Sequence, residues 1–231
     1  KNFRNFYGRL KGKGLRALQQ KLLNDQLEKL SIPAVKYEIN PDRKLIELSD
    51  LFKNVTSFSL EIGFGGGEHL VYQAERNPNI GFIGCEPYIN GVAMLAGKLS
   101  KTELTNVRIH PGDVRDLFDV LPDDSIDSVY LLYPDPWPKK RHHRRRFVTS
   151  EYLIDLQRVM KTGALLKLAT DIPDYVRQSL QEVCKYHFSW TATDAQDWRE
   201  CWSDWMPTRY ERKALREGRR PYYLTFEKRE S

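Results

Sequence analysis

A predicted strand that runs directly into a run of glycines constrains this fold more than any other feature of the sequence. The apolar stretch 58–62 predicts the strand, and the loop 63–67 (GFGGG) follows at once, before a helical pattern that Pro78 ends. Glycines in such a loop allow positive φ and let the backbone approach a ligand at the N-terminus of the next helix. This order predicts the first unit of an α/β domain.

Strand and helix signals alternate along the rest of the chain. Further strands are predicted at 81–86, 106–110, 126–133, 164–170, 188–193 and 221–226, and helices at 89–100, 150–161 and 174–186. The alternation predicts a parallel sheet with helices on both faces and a ligand beyond the carboxyl ends of the strands.

The two ends of the chain depart from this alternation. Leucines at helical spacing between 15 and 30 predict an amphipathic docking helix that Pro33 closes, so we divide the chain into a basic N-terminal segment with this helix (1–33) and one α/β domain (34–231). An aromatic and basic insertion is expected near 194–220. Within it, the spacing of Trp198, Trp202 and Trp205 predicts one face of a helix that packs the insertion onto the sheet.

The glycine loop does not fit a dinucleotide-binding fingerprint. The sixth position is Glu68 counted from Gly63 and Leu70 counted from Gly65, where the fingerprint needs glycine. Glu61 precedes the loop and Glu68 follows it, and two carboxylates would repel a pyrophosphate. The loop therefore favours a cationic ligand.

Two further acids follow predicted strands. Glu86 stands 19 residues beyond Gly67, where an acid commonly binds the hydroxyls of a ribose, and Asp113 follows the third strand, where it could accept from an adenine amino group. A nucleoside with a positive charge and no phosphate describes S-adenosylmethionine better than NAD or ATP. After the fourth strand, three prolines within 134–138 stiffen a loop that presents Asp135 and Trp137.

The formal net charge of +6 hides three basic segments on an acidic body. Of the 231 residues, 37 are Lys or Arg and 31 are Asp or Glu. The segments 1–21, 139–146 and 209–220 carry +7, +6 and +4, which leaves −11 for the remainder. Because phosphate contacts release condensed counterions, this distribution predicts a polyanionic partner.

Composition also bears on location and metal binding. No apolar run approaches the roughly 20 residues that cross a bilayer, and the three cysteines form no CxxC pair, which predicts a cytoplasmic protein. His142 and His143 are interpreted as members of the basic loop, and no metal site is expected.

Several motifs occur together along nearly the whole chain: LEIGFGGGEHL, CEP, GDV, YPDPWPKKRHHRRR, LATD and TRYE. Together they resemble the bacterial tRNA (guanine-N7)-methyltransferase family. The resemblance implies a class I methyltransferase (Rossmann-like) fold and methylation of N7 of guanine 46 in the tRNA variable loop. It assigns Glu61, Gly63, Gly65, Gly67, Glu86, Asp113 and Asp135 to S-adenosylmethionine, with Asp135 as the catalytic candidate. It assigns Lys139, Asp171, Thr208, Arg209, Tyr210 and Glu211 to tRNA, and it implies no obligate protein partner.

The chemistry of guanine makes a strong general base unnecessary, since N7 already carries an in-plane lone pair. A carboxylate such as Asp135 or Asp171 could offset the charge of the methylated base and accept from the guanine N1–H and amine. Three alternatives remain at this point: a methyltransferase for an exocyclic amine, a non-catalytic RNA-binding module, and a nicotinamide dehydrogenase.

Overall fold

The computed structural model describes residues 4–230 and centres on one seven-stranded sheet. Its strands are β1 (Ser57–Ile62), β2 (Ile80–Cys85), β3 (Val107–His110), β4 (Ile126–Leu132), β5 (Met160–Thr170), β6 (Phe188–Trp190) and β7 (Tyr222–Lys228). They are ordered β3-β2-β1-β4-β5-β7-β6, and only β7 is antiparallel to its neighbours. The expected mostly parallel seven-stranded sheet is confirmed.

Helices cover both faces of this sheet. They are α1 (Ala17–Leu30), α2 (Glu68–Arg76), α3 (Ile89–Leu99), α4 (Val114–Phe118), α5 (Ser150–Val159), α6 (Pro173–Val183), α7 (Gln196–Arg199) and α8 (Arg209–Arg216), with 3-10 turns at Pro33–Val35, Leu48–Leu51 and Lys140–Arg145. Phe82 and Ile83 are consecutive in β2 and lie in separate apolar cores, because successive side chains of a strand point to opposite faces.

The N-terminal helix α1 packs against α3. Leu23 and Leu30 are buried in the same core as the apolar face of α3, whereas Leu18 is 67% exposed and lies off the contact face. The docking of this helix is thus as expected. No helix within residues 4–230 is long and apolar enough to cross a membrane.

The prediction of one tryptophan-bearing helix is wrong. α7 covers only Gln196–Arg199, so Trp202 and Trp205 lie beyond its end. Trp198 stacks on Tyr222, while Trp205 contacts Tyr223 edge to face. Since Tyr222 and Tyr223 are successive residues of β7, their side chains point to opposite faces, and indoles packing on both cannot share one helix face. The insertion does pack onto the sheet, but through separate contacts.

Other elements also differ from the predictions. Helix α5 ends at Val159, two residues before its predicted end at 161, and β5 starts at Met160, so Gly163 lies inside the strand with φ of +82°. Strand β6 ends at Trp190, three residues short of its predicted end. The short helices α4 and α8 were not expected, because neither is long enough to show a clear period in the sequence.

Candidate active site

A cavity of about 400 Å³ opens at the carboxyl edge of β1, β2 and β4. Its walls come from the strand ends (62–63, 85–88 and 131–135), the turn 112–114, the N-terminal segment 6–9 and Tyr210. This is the edge at which open α/β sheets bind ligands, and the volume suits a small molecule. The cavity therefore lies at the carboxyl ends of the strands, where the sequence predicted a ligand.

Gly63, at the start of the glycine loop, lines this cavity, whereas Gly65 and Gly67 do not. Gly63, Gly65 and Gly67 all have positive φ, between +56° and +73°, which side chains rarely tolerate. The first turn of α3 contributes Gly91, which the sequence motifs do not include. A Cβ at Gly91 would lie 2.2 Å from the carbonyl oxygen of Gly65, so this contact between loop and helix needs glycine.

Glu86 links the glycine loop to the start of α3. Its Oε2 accepts from the Gly65 N–H at 2.7 Å, and its Oε1 accepts from the Tyr88 N–H at 2.8 Å. The side chain lines the cavity, and its burial raises its pKa to about 7, although the two backbone donors oppose that rise. Each oxygen keeps a second lone pair, which can accept from a ribose hydroxyl.

Asp113 lies on the cavity wall, but its carboxylate is already engaged. It caps α4 by accepting from the Arg115 N–H at 3.0 Å, and it forms an ion pair with the Arg115 guanidinium. Arg115 also donates to the carbonyl oxygen of Asn5 at 3.1 Å. Asp113 thus ties the N-terminal segment to the cavity in addition to bordering it.

Glu61 lies on the other side of β1 and does not line the cavity. Its Oε2 is 2.8 Å from Nδ1 of His69, and both side chains are almost fully buried. Glu61 pairs in register with Tyr130 of β4, whose ring lies 4.6 Å from the imidazole. The Glu61 carboxylate therefore does not border the cavity with Glu86, Asp113 and Asp135, although, after burial, its charge contributes to the raised pKa of Glu86.

The proline loop after β4 presents Asp135 at the cavity. Tyr133 and Trp137, on either side of it, have positive φ of +51° and +40°, a strained conformation for such bulky residues that often marks a functional site. Within residues 4–230 no group donates a hydrogen bond to the Asp135 carboxylate or forms an ion pair with it. Partial burial raises the pKa of this carboxyl above its ordinary value.

The last two arginines of the basic run hold this loop in place. Arg146 is 1% exposed; it donates to the carbonyl oxygen of Pro136 at 2.7 Å and forms an ion pair with Asp174. The Arg145 guanidinium lies 4.8 Å from the ring centroid of Tyr7 and 5.0 Å from that of Trp137. These two charges therefore face the protein and do not extend the exposed basic surface.

The rest of the basic run faces solvent. Lys139, Lys140, Arg141 and Arg144 are exposed, while the His142 ring meets Trp137 edge-on and Nε2 of His143 lies 3.4 Å from Asp174. No cluster of His, Cys, Asp and Glu suited to a metal occurs in the part of the chain described. The four exposed bases begin four residues beyond Asp135.

The predicted tRNA-binding residues fall into two groups. Lys139 is exposed, and Tyr210 lines the cavity and covers Gly65. The others are held by protein partners: Arg209 by Glu68, Asp171 by Arg219, Thr208 as the N-cap of α8, and Glu211 in a buried cluster. Arg209 also lies where a Cβ of Gly66 would stand.

The N-terminal segment was missed as part of the site. Phe6, Tyr7, Gly8 and Arg9 line the cavity, and the carbonyl oxygen of Leu10 accepts from the Ile89 N–H at 3.1 Å. The sequence showed only its basic charge; two aromatics next to those bases were the available signal.

Comparisons with known proteins decide the family. A family model described as "Putative methyltransferase" matches residues 56–224. The tRNA (guanine-N(7)-)-methyltransferase of Roseobacter denitrificans is 61% identical over 223 residues, covering 96% of this chain and 95% of that protein. That of Ruegeria pomeroyi is 60% identical over 227 residues, covering 98% and 95%.

The chain belongs to the tRNA (guanine-N7)-methyltransferase family.

Solved structures show the fold of this family member independently. "Structure of an Antibiotic Related Methyltransferase" matches with a TM-score of 0.58 at 18% identity, covering 81% of this chain and 98% of that one. The 16S rRNA methyltransferase KamB matches with a TM-score of 0.57 at 16% identity, covering 80% and 93%. The class I methyltransferase fold is thus confirmed.

The cavity of this tRNA (guanine-N7)-methyltransferase family member fits S-adenosylmethionine. Glu86 offers acceptors for a ribose, and the unpaired Asp135 carboxylate offers negative charge for a sulfonium. Gly63 of the glycine loop presents its backbone beside them. Family membership and these two carboxylates favour methyl transfer over the nicotinamide alternative.

Proposed function

We propose that this chain transfers the methyl group of S-adenosylmethionine to N7 of a guanine in tRNA, at position 46 of the variable loop. The observation that carries the proposal is the Asp135 carboxylate: it borders the cavity on a strained loop, has no partner within residues 4–230, and lies four residues before the first of four exposed bases. The names of the relatives support the substrate and the position of the methylated atom.

When bound, S-adenosylmethionine would supply a sulfonium methyl group, and the bond from guanine N7 to the methyl carbon would form as the carbon–sulfur bond broke. Since N7 attacks with a free lone pair, no side chain needs to remove a proton. The residues of this chain therefore act by alignment, an effect worth up to about 7–11 kcal/mol in favourable systems. Asp135 offsets the positive charge that the purine gains.

The other site residues divide between cofactor and tRNA. Glu86 holds the ribose, and the turn at Asp113 borders the base. Glu61 acts indirectly, by fixing the strand that carries Gly63. Asp171 is freed from Arg219 to accept from the guanine N1–H and amine, while Lys139, Arg209 and their basic neighbours bind phosphates. Tyr210 stacks on a base.

A tRNA substrate supports a cytoplasmic location. Cys85, Cys184 and Cys201 are all free, which supports a reducing compartment.

Methylation of an exocyclic amine is the competing activity. The test incubates the purified protein with methyl-labelled S-adenosylmethionine and total tRNA, then identifies the labelled nucleoside and treats the tRNA with mild base and aniline. We expect label in N7-methylguanosine and chain cleavage at position 46. Label in an exocyclic methylamine, or binding of tRNA without labelling, would overturn the proposal.

A further inference from the structure

A buried carboxylate sits among aromatic side chains behind the cavity. Glu211, in the first turn of α8, is 5% exposed. Its Oε2 accepts from Nε1–H of Trp205 at 2.6 Å, and its Oε1 accepts from the hydroxyl of Tyr223 at 2.9 Å. Both oxygens are thus engaged by donors from other parts of the chain.

The same cluster reaches the strand that carries the catalytic loop. Tyr133, which follows β4, packs against the core formed by Trp205 and Tyr223. Burial first, and then the nearby Glu211 carboxylate, raise the pKa of Tyr133 above its ordinary value. Glu211 therefore lies where the insertion, β7 and the end of β4 meet.

Two walls of the cavity depend on these contacts. Tyr210 immediately precedes Glu211, and its ring covers Gly65, with Cε2 only 3.3 Å from where a Cβ of Gly65 would stand. Tyr133 lines the cavity two residues before Asp135. A shift of α8 would move the Tyr210 wall and release the packing of Tyr133 at once.

We propose that Glu211 is a positioning residue that sets the shape of the cofactor cavity through Tyr210 and Tyr133, and that it does not contact tRNA. Unlike Glu86, Glu211 does not line the cavity, and its burial among Trp205 and Tyr223 leaves a phosphate or base no access to its carboxylate. The inference rests on the proposed function, because it takes the cavity to be the cofactor site.

Loss of the carboxylate would leave the Trp205 N–H and the Tyr223 hydroxyl unpaired in an apolar cluster, which is unfavourable because neither donor could recover its hydrogen bond to water. The helix can relieve that cost only by moving, and Tyr210 moves with it. Cofactor binding should therefore respond even when no RNA is present.

The test measures the Kd for S-adenosylhomocysteine by calorimetry without tRNA, the Kd for tRNA without cofactor, and the Tm. Glu211→Ala should weaken S-adenosylhomocysteine binding about tenfold and tRNA binding less. Glu211→Gln, which keeps one acceptor, should recover part of the loss. Glu200→Gln, an exposed acid of the same insertion, is the matched control and should behave as wild type.

Trp205→Phe keeps a ring and removes the donor, so it decides the question if Glu211→Ala does not fold; it should weaken S-adenosylhomocysteine binding about threefold. Unchanged S-adenosylhomocysteine affinity with weaker tRNA binding would show a direct tRNA contact and overturn the proposal. A lower Tm with both affinities unchanged would show a purely structural role and also overturn it. If the wild type bound no S-adenosylhomocysteine, the proposed function itself would fail.

Discussion

Glu86 and Asp135 contrast with Glu61 and Glu211, although all four acids lie in the motifs that carry the family resemblance. Glu86 and Asp135 line the cavity and retain free lone pairs. Glu61 and Glu211 are buried on the other side, where His69, Trp205 and Tyr223 engage them. The first pair is available to ligands, and the second pair organises the elements that carry ligand-binding groups.

The contrast shows that the role of a motif acid depends on whether its carboxylate keeps a lone pair that a ligand can reach. Replacing Glu61 or Glu211 would strand buried donors, whereas Asp135, which has no partner within residues 4–230, should cost little stability to replace but lose function. Stability and activity should therefore separate between Asp135 and the two buried acids, which the following variants test.

The largest effect is expected for Asp135→Asn, which keeps the shape of the side chain and removes its charge. Turnover on tRNA should fall roughly 100- to 1,000-fold, as for loss of one electrostatic stabiliser. The Tm should change little, since no protein group depends on this carboxylate. Asp50→Asn, at an exposed acid outside the cavity wall, is the control. Wild-type turnover in Asp135→Asn would show that this carboxylate is not catalytic.

Glu61→Ala should show the opposite pattern. It strands the buried Nδ1 of His69, so the free energy of unfolding should fall by about 1–3 kcal/mol in denaturant titrations. Glu61→Gln should lose less. A large loss of cofactor affinity at unchanged stability would instead mean that Glu61 contacts the cofactor directly.

The basic run allows the same comparison among cations. Replacing the exposed Lys139, Lys140, Arg141 and Arg144 with Gln should weaken tRNA binding about tenfold and reduce the salt slope of binding by about three, while cofactor affinity stays unchanged. Arg146→Gln should lower stability and turnover with a smaller change in that slope, because Arg146 faces the protein. If the variant with all four replacements lost cofactor affinity to the same extent as tRNA affinity, the distinction between exposed and inward-facing bases would be contradicted.

The smallest effect is a pH dependence at Glu86. Because burial raises its pKa to about 7 from the usual 4.5, the contribution of Glu86 to the stability of the free protein is present below pH 4.5 and is lost as pH rises through 7. Cofactor binding needs the ionised form, so affinity should rise about three- to tenfold from pH 6 to pH 8 in calorimetry. Glu86→Gln should flatten this rise, and a persistent rise would assign the titration to Asp135.

The sequence predicted the sheet and the edge that holds the cavity, because strand and helix periods are local signals and parallel strands end at one edge. It did not predict which acids line the cavity and which are bound by other protein groups. Glu61 and Ile62 are neighbours in β1, yet only Ile62 lines the cavity, since successive side chains face opposite ways. It also read 139–146 as one surface, although Arg145 and Arg146 turn inward.

By itself, then, the sequence determined the order of elements, the glycine loop, the strand-end acids and, through its motifs, the family. Only the tertiary structure decided which of those acids remain available. The reason is that their partners are brought together from distant parts of the chain: Arg219 reaches back to Asp171, and Trp205 and Tyr223 meet at Glu211. Local patterns do not encode such meetings, which depend on how the sheet and its insertion pack.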